Sequence, residues 1–194
     1  MKNDIVFAWS ILSIVHQQVT KWEKTKTFEY AERAPGVRMI IVDEAWKICV
    51  TKEWRHELNT GQWWYDFRLP GGKVVDSLEE YSILKEKWKE ALFLAAKEAV
   101  KIEAGEEVWI LPENIEFLRI SPCGATMRWD LYYFVVDAFS IKESGQDLWW
   151  SEDIVVWRYS PDEVKHMCLS GQVSEDRSVA VLLQWLHEKN TMMS

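Results

Sequence analysis

The sequence has few of the residues that build disulfide frameworks or zinc clusters. Its three cysteines, Cys49, Cys123 and Cys168, lie far apart and show no CxxC spacing. They predict thiols that stay reduced, as in a reducing compartment. The four histidines also lack metal-ligand spacing. A disulfide scaffold and a zinc finger are therefore both excluded as interpretations of the chain.

The chain also lacks an excess of basic residues and a long apolar run. With 31 acidic against 23 basic residues its net charge is −8, which argues against a nucleic-acid partner because such binding needs a basic surface. A nucleotide ligand is still compatible with this charge. No apolar run reaches the length of a transmembrane helix, and the apolar segment 5–15 has no signal-peptide cleavage site. We expect a cytoplasmic protein without a membrane partner.

The chain is rich in apolar side chains, and above all in tryptophan. Hydrophobic residues make up 48% of its 194 residues, and 13 residues are Trp. This composition predicts one ordinary domain with a well-filled core. The tryptophans fit an aromatic core and a subunit interface, or a few of them could stack on a base.

Apolar patterns and turn residues predict strands alternating with helices, which is typical of an α+β protein or an α/β/α sandwich. A first helix is expected to begin after Ser77 and to end at Gly105, with an apolar stripe that runs from Leu84 to Ile102. A second is expected after Ser160, which precedes a proline. The predicted strands are 5–20, 25–32, 37–42, 47–54, 63–69, 114–120, 131–139 and 154–159, with 37–42 and 47–54 paired as a hairpin.

Several short motifs occur in a characteristic order, at positions 33–37 (RAPGV), 50–55 (VTKEWR), 69–73 (LPGGK) and 121–126 (SPCGAT). This order resembles the Nudix superfamily, and within it the ADP-ribose pyrophosphatase branch. The resemblance implies a Nudix-type α/β/α sandwich with a mixed sheet. It further implies an N-terminal strand extension over residues 1–34 that forms a homodimer, and a Nudix domain over 35–194 with an insertion at about 77–94.

The family's metal-binding box departs from its pattern here. That pattern ends in Arg-Glu-hydrophobic-x-Glu-Glu-x-Gly. Aligned backwards from Gly105, Glu103 takes the last Glu, while Ile102 and Ala99 replace the other two and Glu98 replaces the Arg. Only one carboxylate survives in this alignment. A π-bulge would restore Lys97-Glu98 as the Arg-Glu pair. Otherwise Ala99 and Ile102 complete the buried stripe and Glu98 is a surface acid.

The resemblance also implies a set of site residues. Mg²⁺ or Mn²⁺ would lie on Glu103, the Gly71 carbonyl and a second acid, Glu98 or Glu79. The substrate would contact Arg55, Trp54 and the glycines Gly71 and Gly72. The catalytic acid would come from a late loop, as Glu143 or Glu152.

Three functions follow from these observations. The first is a metal-dependent pyrophosphohydrolase acting on a nucleoside diphosphate derivative similar to ADP-ribose. The second, motivated by the missing acids, is a Nudix-fold module that binds a nucleotide without hydrolysing it. The third is a purely structural oligomer. The homodimer interface is expected on the N-terminal strands, which carry Trp9, Trp22, Phe28 and Tyr30.

Overall fold

The computed structural model describes residues 2–54, 65–87 and 89–193. Its strands are β1 (Lys2–Ala8), β2 (Leu12–Lys21), β3 (Lys24–Arg33), β4 (Gly36–Ile41), β5 (Ile48–Trp54), β6 (Tyr65–Arg68), β7 (Ile110–Ser121), β8 (Met127–Arg128), β9 (Leu131–Ile141) and β10 (Ile154–Tyr159). Its helices are α1 (Leu78–Lys87), α2 (Lys89–Glu107), α3 (Pro161–Leu169) and α4 (Asp176–Met193). The chain forms two compact units, a first of Met1–Val37, Gly72–Ala99 and Arg119–Tyr132, and a second of Arg38–Gly71, Val100–Leu118 and Tyr133–Ser194.

The first unit contains a four-stranded mixed sheet in the order β1-β2-β3-β8. β1, β2 and β3 pair antiparallel as successive hairpins, whereas β8 runs parallel to β3. The strand predicted over 25–32 is present as β3, but the strand predicted over 5–20 is interrupted at residues 9–11 and forms two strands, β1 and β2. Trp9 and Trp22 are exposed, but Tyr30 is buried beneath the guanidinium of Arg128. Tyr30 therefore belongs to the core of this unit, and its prediction as an interface residue was wrong.

The residues predicted as an insertion are helical. Ser77 accepts a hydrogen bond from the Glu80 backbone N–H at 3.1 Å, so α1 begins where the sequence predicted a helix. None of the residues of α1 is buried. The first half of α2 belongs to the same unit and packs through Ala91, Ala96 and Ala99.

The second unit contains two three-stranded sheets, ordered β10-β5-β6 and β4-β9-β7. The hairpin predicted between 37–42 and 47–54 is wrong, because β4 and β5 belong to different sheets and share only a bridge between Val42 and Ile48. Neither run alternates strictly between apolar and polar residues, so their sequences do not distinguish pairing with each other from pairing with other strands. β5 instead pairs antiparallel with β10 and β6.

Fully buried side chains fill the second unit, and each large one contributes about 1.5–3 kcal/mol by leaving water. They include Met39, Ile40, Ile48, Val50, Leu69, Val100, Ile110, Tyr133, Phe134 and Leu182. α3 begins with the predicted cap, in which Ser160 and Glu163 exchange hydrogen bonds as a capping box. No helix of the described residues is long and apolar enough to cross a membrane.

Candidate active site

The Pro-Gly-Gly turn is fastened to the end of α2 in the second unit. The Gly71 backbone N–H donates a hydrogen bond of 2.8 Å to Oε2 of Glu107. Gly71 has φ 141°, a region that favours glycine because a side chain there is strained. The turn can therefore present its peptide groups to α2 only with glycine at this position.

α2 ends at Glu107 and not at Gly105, so the predicted helix end was wrong. Gly105 is buried inside the helix, where its missing side chain leaves space beside Ile110 and Lys142. Trp109, with φ 45°, instead adopts the left-handed conformation that usually belongs to a glycine just after a helix. The alignment of the box backwards from Gly105 therefore does not start at a helix end, and it stays a prediction.

Counting the box pattern backwards from Trp109 instead of Gly105 shifts it by four residues. Trp109 then stands at the final glycine, Glu106 and Glu107 at the Glu-Glu pair, and Glu103 at the Glu that follows the arginine. Ile102 takes the arginine position. It is 52% exposed, so its prediction as a core residue was wrong. In this alignment all three carboxylates of the pattern are present and its arginine is missing.

Neither of the predictions for Glu98 as a box residue gains support. α2 is α-helical from Lys89 to Glu107 without a π turn, so the register that would bring Glu98 into the motif does not form. Glu98 is exposed, while Ala99 beside it is buried. These two residues follow the alternative prediction, in which Glu98 is a surface acid.

Glu107 lies at the centre of a group of carboxylates. Burial raises the pKa of its carboxyl well above the usual value, and the charges of Glu53 and Glu103 raise it further. The hydrogen bond from Gly71 and the charge of Arg38 act in the opposite direction but do not offset these effects. Glu103 and Glu107 are four residues apart, hence one helical turn apart on the same face. The end of α2 thus carries two carboxyl groups on one face, of which Glu107 is buried and its charged form is disfavoured.

Glu53 is held in place by β5 and β6. Oγ1 of Thr51 donates to its Oε1 at 3.0 Å, and Nη1 of Arg68 lies 3.2 Å from its Oε2. Both Glu53 and Arg68 are almost completely buried. Arg68 therefore neutralises a carboxylate on the neighbouring strand.

Arg38 enters the same region from β4 and is buried. Its Nε and Nη2 donate to the two carboxylate oxygens of Glu175, at 2.9 and 3.2 Å. Its Nη1 donates to the Gly71 carbonyl oxygen at 2.9 Å. Burial opposes the charge on Arg38, but the charge and hydrogen bonds of Glu175 together with the charges of Glu107 and Glu53 outweigh that cost, and the pKa of the guanidinium is raised.

Glu175 immediately precedes α4 and links the helix to this site. Burial disfavours its charge, yet Arg38, a hydrogen bond from Ser178 at 2.5 Å and Arg68 together lower its pKa to about 2. Ser178 in turn lies 3.1 Å from the hydroxyl of Tyr133. Glu175 is therefore an ionised carboxylate whose orientation is fixed by the surrounding side chains.

The other predicted site residues are distributed as follows. Trp54, at the end of β5, is half-buried and packs edge-on against Tyr65 with ring centres 5.4 Å apart. Arg55 lies outside the described residues. In the first unit, Gly72 uses its carbonyl to accept the Val37 backbone N–H, which ties the turn to β4. Glu79 belongs to the first turn of α1 and is exposed.

The predicted catalytic acids lie in the loop between β9 and β10. Glu143 is exposed in a turn, and Glu152 accepts a hydrogen bond from the Trp149 backbone N–H at 2.9 Å. The loop is attached to the end of α2 by Gln146, whose amide donates to the Glu107 carbonyl. This attachment places the loop next to the helix end that carries Glu107.

Four residues of the site had no place in the sequence-based prediction: Arg38, Glu53, Glu107 and Glu175. Only Glu107 had a detectable signal, the adjacent pair Glu106-Glu107 just before an apolar strand. The described residues contain no group of three or more His, Cys, Asp or Glu side chains already arranged to hold a metal ion.

The comparisons with known proteins identify a fold and no sequence family. No protein-family model matches the chain, and no curated protein matches it. Among solved structures, the chain is similar to one described as an ADP compounds hydrolase, with a TM-score of 0.68 and 14% sequence identity. The match covers 97% of this chain and 94% of that chain. At this identity the likeness shows the fold alone: the chain has the Nudix-like α+β fold that its motifs predicted.

Proposed function

We propose that the protein is a metal-dependent pyrophosphohydrolase acting on a nucleoside diphosphate derivative similar to ADP-ribose. The observation that carries the proposal is the pair Glu103 and Glu107, one turn apart on α2, with Glu107 buried and hydrogen-bonded to the Gly71 backbone N–H. Such an accumulation of like charge is costly to the fold, and it is common where a site must hold a cation. The name of the similar solved structure, an ADP compounds hydrolase, supports the choice of substrate class.

The donor set suits Mg²⁺ or Mn²⁺. Both ions prefer oxygen ligands, and Mg²⁺ commonly takes only one or two protein carboxylates together with waters and substrate phosphates. Glu103 and Glu107, one turn apart, supply such a pair. The ion would neutralise the diphosphate and make a bound water more acidic. Glu98, exposed in the first unit, is not part of the proposed set.

The protein's own groups prepare this site before any ligand binds. The Gly71 N–H fixes one oxygen of Glu107, while Thr51 and Arg68 fix Glu53. Carboxylates held in this way need little reorganisation during the reaction, which is how positioned charges contribute to catalysis. Arg55 retains its predicted role of holding a phosphate or the terminal ribose through two hydrogen bonds, and Trp54 that of a stacking surface.

A loop acid is proposed to orient or deprotonate the attacking water. Glu143 and Glu152 are the two candidates, and the attachment of their loop to Glu107 through Gln146 supports this assignment. Glu152 already accepts a hydrogen bond within a turn of the loop, whereas Glu143 is exposed. Glu143 is therefore the first choice for the catalytic acid.

Hydrolysis of ADP-ribose and related ADP compounds, followed with and without Mg²⁺ or Mn²⁺, tests the proposal. We expect Glu103→Gln to lower kcat/KM by about 100-fold or more, because neutralising a ligand should cost at least as much as removing a supporting group of a metal site. Glu98→Gln is the matched control, since Glu98 lies exposed on the same helix. Turnover that is unchanged in Glu103→Gln contradicts the proposal. Glu143→Gln and Glu152→Gln in the same assay identify the loop acid.

A binding module without hydrolytic activity is the second candidate function. The observation that favours it is Arg38, whose guanidinium already engages the Gly71 carbonyl that the family resemblance assigns to metal. Calorimetry with ADP-ribose separates the two functions. A hydrolase of the proposed type shows tighter binding when Mg²⁺ is present, whereas a binding module shows the same affinity with and without the ion.

We also propose that the N-terminal strands form a homodimer. Ile5, Phe7 and Trp9 are exposed apolar side chains within one short segment of the first unit, with Trp9 72% exposed. Apolar clusters of this kind on a sheet commonly mark an interface. We expect a dimer mass by light scattering at micromolar concentration, and a monomer mass for Phe7→Asp combined with Trp9→Asp. The double substitution should leave the far-ultraviolet circular dichroism unchanged, and a monomeric wild-type protein contradicts the proposal.

A cytoplasmic location is proposed as well. The three cysteines are free, and Cys49 and Cys168 are buried. This fits a reducing compartment, in which buried thiols stay reduced.

A further inference from the structure

The guanidinium of Arg38 occupies an unusual position for a surface-type side chain. It is buried, and it donates two hydrogen bonds to Glu175 and one to the Gly71 carbonyl oxygen. A guanidinium cannot lose its charge at physiological pH. A permanent positive charge is therefore built into the second unit beside the Pro-Gly-Gly turn.

This charge meets the groups that a divalent ion would meet. The Gly71 oxygen is a predicted metal ligand, and Nη1 of Arg38 lies 2.9 Å from it. Glu175, Glu107 and Glu53 all act electrostatically on Arg38 and favour its charged form. Backbone carbonyl and carboxylate oxygens form the ligand set that Mg²⁺ and Mn²⁺ select.

A divalent ion at the Gly71 oxygen would compete with Arg38 directly. The oxygen has a second lone pair, but an ion coordinated there would lie within a few Å of the guanidinium. Repulsion between like charges at such a distance is strong in a buried site. Binding at Gly71 would thus require the guanidinium of Arg38 to move away from the Gly71 oxygen. That movement would break its two hydrogen bonds to Glu175.

We propose that Arg38 is a built-in cation that takes the place of a divalent ion at the Gly71 carbonyl. The ion of the proposed hydrolase is then confined to the side of α2 that carries Glu103 and Glu107. The inference rests on the proposed function only in assigning these two glutamates as metal ligands. It makes Arg38 a positioning residue, which fixes the Gly71 peptide and the neighbouring carboxylates without touching substrate.

Counting bound Mn²⁺ by electron paramagnetic resonance tests the inference. Arg38→Met removes the guanidinium and leaves the oxygens of Gly71, Glu175 and Glu107 without its charge. We expect this variant to bind one more Mn²⁺ per chain than the wild-type protein. Its melting temperature should also rise with Mn²⁺ concentration more steeply than that of the wild type, because an ion that binds only the folded state stabilises it.

Two controls make the count specific. Arg158→Met removes another arginine of the second unit, one paired with Asp43 at 3.7 Å and about one-third exposed, and should leave the Mn²⁺ count unchanged. Arg38→Met combined with Glu175→Gln removes a ligand of the new site, and the extra ion should be lost. An Arg38→Met variant that is folded and binds the same number of ions as the wild type overturns the inference.

Failure of the proposed function gives a different result. A wild-type protein that binds no Mn²⁺ contradicts the metal-dependent hydrolase, while a gain of one ion in Arg38→Met still supports the role of Arg38. If Arg38→Met does not fold with or without Mn²⁺, a nuclear magnetic resonance measurement on the wild-type protein tests the inference instead. The Arg38 Nε–H signal, assigned by its loss in Arg38→Lys, should keep its chemical shift and its slow solvent exchange at saturating Mg²⁺. Loss of that protection shows that the ion displaces Arg38 and overturns the inference.

Discussion

Glu107→Gln is expected to abolish the proposed hydrolysis and at the same time to stabilise the metal-free fold at pH 8. Burial and the charges of Glu53 and Glu103 raise the pKa of Glu107, so its ionised form is unfavourable in the folded state. Glutamine removes that charge but can still accept the hydrogen bond from the Gly71 N–H. We expect kcat/KM to fall by about 100-fold or more, as for other losses around a metal site. In EDTA, the melting temperature of Glu107→Gln should lie a few degrees above that of the wild type. Each kcal/mol of added stability raises the melting temperature by about 2–4 °C in a chain of this length.

The direction of the pH dependence follows from the raised pKa. Between the unfolded pKa near 4.5 and the higher folded pKa, the folded wild type binds more protons than the unfolded chain. Glu107 therefore lowers stability as pH rises through this window, and the contribution is absent in Glu107→Gln. The melting temperatures of the wild type and of Glu107→Gln should coincide near pH 4 and separate as the pH rises. Mg²⁺ should narrow the difference at pH 8 by stabilising only the wild type. Glu98→Gln should melt like the wild type, and equal melting temperatures of Glu107→Gln and the wild type at pH 8 contradict the prediction.

Local chemistry made several elements of the fold predictable. The capping box of Ser160 and Glu163 and the helix start after Ser77 depend on neighbours within a few residues, and both are present. Extended structure in the N-terminal segment was predicted from its β-branched and aromatic residues, but the turn at residues 9–11 that pairs β1 with β2 was not. The order of the Nudix-like motifs predicted the α+β fold, which the similarity to a solved structure confirms.

The end of α2 was mispredicted because its position was taken from a glycine alone. Glycine is common just after a helix, but Gly105 lies inside α2 and the helix continues for two residues. The turn out of the helix is left to Trp109, a residue type that rarely adopts a positive φ. Where the box pattern ends in this chain stays a prediction.

The ion pairs of the site could not be predicted from the sequence because their members are distant along it. Arg38 lies in an apolar run that predicts a buried strand, and its partner Glu175 follows 137 residues later. Nothing in either local pattern indicates the other residue. Burial of an arginine is tolerated only when charge and hydrogen bonds are matched, so Arg38 required a carboxylate, but the sequence did not say which one.

Glu175→Gln is expected to destabilise the protein by about 3 kcal/mol at pH 7, because removing one member of a buried ion pair leaves the other charge without compensation. The lowered pKa of Glu175, about 2, supports this size, since the ionised form is strongly favoured in the folded state. A loss of about 3 kcal/mol lowers the melting temperature by about 6–12 °C for a chain of this length. Urea unfolding followed by tryptophan fluorescence measures the free energy directly.

The pH dependence and a matched pair separate this effect from a general loss of charge. Glu175 contributes its stability above the unfolded pKa of about 4.5, and the contribution is lost as pH falls from there towards 2. The free energies of unfolding of the wild type and Glu175→Gln should therefore differ most above pH 5 and converge in acid.

Asp43→Asn, which breaks the more exposed pair with Arg158, should cost less than about 1 kcal/mol. Arg38→Met combined with Glu175→Met should be more stable than Glu175→Gln, because an apolar replacement of both partners leaves no buried charge unpaired. If Glu175→Gln unfolds at the same urea concentration as Asp43→Asn, the pair with Arg38 is not a main support of this site.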